Sequence, residues 1–151
     1  MLRTRLNDAL KDAMKAKDAS ATSTLRLILA ALKDRDIAER TKGNGDGLGD
    51  EQILEMLQKM VRQRHDSIEM YTKGGRDELA RREAEEIEVI ERFLPKQMDE
   101  TDMRAAIEAV IGELGAGSVK DMGRVMGTLK ERYPGRMDFG KASGIVKEAL
   151  V

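Results

Sequence analysis

The chain of 151 residues predicts an all-α protein: an N-terminal helical bundle over residues 1–97 followed by a small C-terminal three-helix module over 98–151. Three observations point there. Every patterned segment repeats its apolar residues at three- and four-residue spacing. Aromatic residues are reduced to two Phe and two Tyr with no Trp, while Leu, Ala, Met, Glu, Lys and Arg dominate, which is the composition of helices. No segment alternates at period two, so no strand is expected. A chain of this length can bury a core in one domain or two small ones.

The first helix is expected over residues 2–17, with Leu2, Leu6, Ala9, Leu10, Ala13 and Met14 on one stripe. Ser20 or a neighbour opens the second, whose stripe is Leu25, Ile28, Leu29 and Leu32, running on to Ile37. The run Lys42-Gly43-Asn44-Gly45-Asp46-Gly47-Leu48-Gly49 predicts a flexible connector. Gly49 or Asp50 then caps a long third helix carrying Ile53, Leu57, Met60, Val61, Ile68 and Tyr71, with Met56 and Met70 off that stripe; Gly74-Gly75 stops it. A fourth helix carries Leu79, Ile87, Ile90 and Leu94, and Pro95 ends it. Asp99 and Asp102, with Met98 before them, resemble a capping box for a fifth helix that closes at Gly115. Ser118 and Asp121 repeat that arrangement before a sixth, and Asp138 caps a seventh from Phe139 to about Leu150.

The segment from Ser118 to Val151 carries the most specific signal. Its two helices flank a tight Tyr133-Pro134-Gly135-Arg136 turn and contain Gly123, Gly127, Gly140 and Gly144. A glycine inside a helix costs about 1 kcal/mol relative to alanine, so four of them imply that something approaches closely. Either a neighbouring helix or a ligand backbone satisfies that condition, and the sequence leaves both open. Seven bases against four acids give this segment a charge of +3 inside a chain of net −1. Along the whole chain the charge divides into +4 over residues 1–42, −4 over 43–97 and −1 over 98–151. That balance is too neutral for non-specific nucleic-acid binding, yet it leaves room for a local basic patch. A solvated charged face is the competing reading of the same bases.

Several chemistries are disfavoured. Without cysteine there are no disulfides, thiolate nucleophiles or thiolate metal sites. The glycine run lacks a ligating residue at Leu48 for a calcium loop, and its alternating glycines do not fit a dinucleotide fingerprint. His65 is the single histidine and has no evident catalytic or metal partners, and none of the five serines lies in G-x-S-x-G. The acid run Glu83–Glu88 reads as a solvated helix face. No catalytic residue, metal ligand or cofactor site is therefore assigned. No apolar run approaches 18 residues and the start lacks an apolar signal core, so the expectations are no membrane association and a cytoplasmic location.

The pattern Asp121-Met122-Gly123-Arg124-Val125-Met126-Gly127-x-Leu129, followed by Gly135-Arg136-x-Asp138-x-Gly140-Lys141-Ala142-Ser143-x-x-Val146-Lys147-x-x-Leu150, resembles the signature of the GatB/YqeY family. Further likeness lies in Leu6-Asn7-x-x-Leu10-Lys11-x-Ala13-Met14-Lys15-Ala16-Lys17-Asp18, in Thr24-Leu25-Arg26, in Arg62-x-Arg64-x-Asp66-Ser67-Ile68 and in Ile87-x-x-Ile90-x-x-Phe93-Leu94-Pro95. It covers nearly the whole chain and is similar to the free-standing members. The glycine-rich 43–49 connector departs from the acidic, serine-bearing entry to the third helix that such members lead one to expect.

The resemblance implies a wholly helical fold with the bundle-plus-module organisation. In the B subunit of the aspartyl/glutamyl-tRNA amidotransferase, a tail of this kind contacts the transfer RNA, while the amide-forming chemistry resides elsewhere in that enzyme. The family label of glutamine-dependent carbon–nitrogen ligase activity thus describes the parent complex. For this chain the implied function is a non-catalytic protein associated with tRNA. The candidate RNA-binding residues are Lys120, Gly123, Arg124, Gly127, Arg132, Arg136, Gly140, Lys141 and Lys147. The alternative is an adaptor for proteins of the aminoacylation machinery, without RNA contact. The scarcity of aromatic residues disfavours reading of unstacked bases.

Overall fold

A computed structural model describes residues 1–151 and contains seven α-helices, one short 3₁₀ turn and no strand. The helices are α1 (Leu2–Lys15), α2 (Ala19–Thr41), α3 (Asp50–Lys73), α4 (Asp77–Glu91), α5 (Glu100–Leu114), α6 (Met122–Arg132) and α7 (Phe139–Leu150); the 3₁₀ turn is Val119–Asp121. They form two compact units, Met1–Leu94 and Pro95–Val151, each with its own apolar core.

In the first unit α1 lies on α2, and α4 packs along both α2 and α3. Leu6, Leu25, Ile28, Ile53, Met56, Leu57 and Ile90 are essentially solvent-free at its centre. Complete burial of each such side chain contributes about 1.5–3 kcal/mol, so this aliphatic stripe holds the bundle together. Met56, expected off the stripe of α3, is core, whereas Ile37, expected on the stripe of α2, is exposed. The stripe of α3 is therefore wider near its start than strict four-residue counting suggests. Asp18, not Ser20, caps α2: its carboxylate accepts the Ala21 N–H at 3.1 Å. The α4 helix ends at Glu91, before Pro95 can act as the stop, and the following turn buries Phe93.

The glycine-rich connector is not a free tether. Arg3 grips the Asp36 carboxylate with both terminal nitrogens, at 2.5 and 3.0 Å, and donates a further bond to the Leu48 carbonyl at 3.0 Å. Asp36 Oδ1 in turn accepts the Leu48 N–H at 2.9 Å, and Leu48 itself is buried. Hydrogen bonding from Arg3 holds the Asp36 carboxyl below its ordinary pKa. Gly47 takes φ +77°, and a Cβ there would lie 2.3 Å from Asp36 Oδ1. Asp50 accepts the Leu2 N–H at 3.3 Å, and the Gly49 N–H is met by Gln52 Oε1 at 3.1 Å. The loop thus closes a polar clasp between the starts of α1 and α3 and the C-terminal part of α2.

Farther along α3 and α4, no residue between Val61 and Glu86 is fully buried. A charged cluster ties the two helices there: Arg64 Nε donates to Glu86 at 2.8 Å and lies 3.9 Å from Glu83. Burial, then the neighbouring Glu86, push the Glu83 carboxyl above its usual value. Two members of the acid run are consequently structural, while Glu85 and Glu88 face solvent as expected.

In the second unit α5, α6 and α7 pack pairwise around Met103, Ile107, Val110, Val125, Leu129, Met137, Ala142 and Val146. Asp99 caps α5 by accepting the Asp102 N–H at 2.7 Å, and Gly115 ends it in the left-handed conformation. Asp138 Oδ1 accepts the N–H groups of Gly140 and Lys141 at the start of α7. The segment after Pro95 belongs to this unit because the 133–136 turn holds it: Gln97 donates to the Gly135 carbonyl at 2.6 Å, and the Met98 N–H to the Arg136 carbonyl at 2.9 Å.

Candidate nucleic-acid interface

The nine residues singled out from the sequence all lie in the second unit, distributed over the 3₁₀ turn, α6, the turn after it and α7. Lys120 sits in the 3₁₀ turn and Arg124 in the first turn of α6, so they do not share a regular helix as the four-residue spacing suggested. The Ser118 hydroxyl makes no cap there. Asp121 serves differently from the expected capping role, accepting the Gly117 N–H at 3.0 Å, which together with the Ser118 N–H and Arg124 lowers its pKa.

Arg124 and Arg132 flank the end of α5. Arg124 donates to the Leu114 carbonyl and to Asp121, each at 3.2 Å, and Arg132 donates to Glu113 at 2.5 Å. That contact depresses the Glu113 pKa and raises that of Arg132. Both ion pairs are open to solvent, and exposed pairs contribute about 0–1 kcal/mol, so either arginine can exchange its carboxylate for another anion at little cost. Arg136 is held differently. Its Nε donates to the Lys96 carbonyl at 3.1 Å and its guanidinium lies 5.9 Å from the Tyr133 ring centre. It fastens the chain entering this unit.

Gly140 and Lys141 open α7, and Lys147 lies in its last turn. Lys120, Lys141 and Lys147 are exposed and form no ion pair. The glycines differ in what surrounds them. Around the Cβ positions of Gly123, Gly127 and Gly144 there is no atom within 4 Å beyond the adjoining backbone, so no helix of this unit packs there. Gly140 differs: its missing Cβ makes room for the capping Asp138, 3.2 Å away.

The sequence reading missed a groove between the start of α5 and one face of α7. It encloses about 470 Å³ over Met98, Met103 and Ile145, with Lys141, Gly144 and Glu148 along its α7 edge. The i, i+3, i+4, i+7 spacing of those α7 residues was available as a signal; the α5 wall was not.

Comparison with known proteins places this geometry in context. The chain is 32 % identical over 111 residues to "Altered inheritance of mitochondria protein 41, mitochondrial" of Lachancea thermotolerans, covering 72 % of this chain and 57 % of that protein. It is 39 % identical over 90 residues to the protein of the same name from Candida glabrata, covering 59 % and 47 % respectively. The match to the Saccharomyces cerevisiae protein of that name is 32 % over 89 residues, 59 % of this chain and 46 % of the relative. The chain thus spans about half the length of the curated relatives it matches. Their names overturn the expectation of a cytoplasmic location, which rested on elimination alone. No helix is long and apolar enough to cross a membrane, and that fact does not distinguish compartments. The family model described as Yqey-like protein matches residues 3–150, in agreement with the resemblance noted in the sequence. The chain belongs to the YqeY-like family.

Proposed function

We propose that the second unit is a non-catalytic docking module for the phosphate backbone of a folded RNA, with transfer RNA the class that the family resemblance implies. One observation carries the reading: Gly123 and Gly127 lie on the open side of α6, where nothing within the unit requires a missing side chain. Each glycine gives up about 1 kcal/mol of helix stability relative to alanine. An external surface that must come close to the backbone accounts for that loss. Lys120 and Arg124, flanking the same helix start, supply charge for adjacent phosphates, and Arg132 supplies a further cation once it leaves Glu113.

The test is a filter-binding titration of tRNA with the full chain at two salt concentrations. Binding is expected to weaken with salt as counterions are released, and the double variant Lys120→Glu/Arg124→Glu is expected to bind less and with a shallower slope, by about one unit per phosphate contact removed. A salt-independent affinity, or an unchanged affinity in the double variant, contradicts the proposal. The mitochondrial names of the relatives make organellar tRNA the first probe to try beside bulk tRNA.

A second reading, an adaptor for aminoacylation proteins, is favoured by the α3–α4 hairpin, where Met70 is 74 % exposed. It requires a protein partner recovered by pull-down after nuclease treatment and lost on Met70→Glu.

A further inference from the structure

The groove between α5 and α7 carries an asymmetry of charge that becomes complementary when the surface is turned upon itself. Four acids and two bases line it, yet most are already engaged. Asp99 and Asp138 accept backbone N–H groups at the starts of α5 and α7, and Glu100 pairs with Arg104 at 2.9 Å. Glu148 reinforces the positive charge of Arg104 without forming an ion pair with it. Lys141 and Glu148 therefore remain as the two unpaired charges of the groove, both exposed. They stand seven residues apart on one face of α7, two helical turns or about 10.5 Å. The midpoint between them falls at Gly144 and Ile145. Gly144 is exposed with open space at its Cβ position, and Ile145 is half-buried beside Met98 and Met103 in the groove floor.

A two-fold axis through that midpoint brings residue i of one copy opposite residue j of the other and j opposite i. Lys141 then meets Glu148 twice, Gly144 lets the two helix backbones approach, and the Met98–Met103–Ile145 floors are covered. We propose that this groove is a homodimer interface in which α7 of one copy lies antiparallel to α7 of a second copy, with Lys141 of each facing Glu148 of the other. A single helix pair and its flanks form a small interface, so the dimer is a weak, concentration-dependent one. The inference is independent of the RNA reading, and it assigns Lys141 to the partner copy in place of a phosphate.

Sedimentation velocity of the full chain over a concentration series, without RNA, tests it. The wild-type chain is expected to shift from monomer towards dimer as concentration rises. Lys141→Glu places like charges opposite one another, as does Glu148→Lys, and each is expected to weaken association at least about tenfold. An equimolar mixture of these two single variants is expected to regain it, since every contact between unlike chains is again of opposite sign. The double variant Lys141→Glu/Glu148→Lys is expected to self-associate like the wild type. Both substitutions are on exposed positions, and unchanged thermal melts show that the fold is intact. A wild-type chain that stays monomeric throughout, or single variants whose mixture fails to associate, overturns the proposal.

Discussion

Gly47 in the first unit and Gly127 in the second are both glycines that simple sequence reading treats alike, as local weakness in the backbone. The structure separates them. At Gly47 the chain turns with φ +77°, and the space where a Cβ would stand is filled by the Asp36 carboxylate, itself held by Arg3 and the Leu48 N–H. The glycine is explained by its own fold. At Gly127 the helix is regular, and the space is empty. A residue explained from within marks architecture, while one whose cost has no internal return directs attention outward. That contrast is why the functional proposal rests on α6 and not on the glycine-rich connector.

The largest effect is expected from Gly47→Ala. Left-handed backbone costs an L-residue about 1–2 kcal/mol, and displacing Asp36 loosens charge-assisted hydrogen bonds worth about 1.5–3 kcal/mol. A total near 3 kcal/mol of destabilisation should appear in urea unfolding. Asp36→Asn, which keeps the shape and loses the charge, is expected to cost about 2 kcal/mol by the same measurement, because the Arg3 bonds become neutral-acceptor bonds.

The same clasp sets an acid response. Asp36 is held below its ordinary pKa when folded, so its contribution to stability is complete above the unfolded carboxylate value and is lost as pH falls through that value towards the lower folded one. Unfolding midpoints measured from about pH 5 down to pH 2 should fall below about pH 4, and the fall should be shallower in Asp36→Asn. An equal acid sensitivity in the two proteins would remove Asp36 as its source.

Gly127→Ala is expected to go the other way, stabilising the chain by about 0.5–1 kcal/mol, since the new methyl meets nothing within the chain and helix propensity improves. The smallest effect belongs to Arg132→Gln. Its pair with Glu113 is exposed, so thermal unfolding should change by less than about 1 kcal/mol.

Much of the fold was legible because helical periodicity is local. The stripes of α1, α2 and α5, the cap at Asp138 and the stop at Gly115 all depend on residues within one or two turns. The connector was misjudged for the opposite reason: its partners, Arg3 and Asp36, lie 45 and 12 residues from Leu48, and composition carries no trace of such pairing. Asp18 capping α2 in place of Ser20, and Met56 entering the core, show how offsets of one or two residues at helix ends and stripe edges escape counting. At the candidate site the bases and glycines could be seen in the sequence, but not their fates. That Arg136 fastens Lys96, that Arg132 meets Glu113 nineteen residues away and that α6 leaves its glycines uncovered are tertiary facts.

The central claim, that the open glycines of α6 admit an external polyanion, is tested most directly by the double variant Gly123→Ala/Gly127→Ala, with stability and tRNA affinity measured on the same preparation. The expected result is opposed signs: a more stable protein that binds RNA more weakly. A variant that is more stable and binds as tightly as the wild type would contradict the claim.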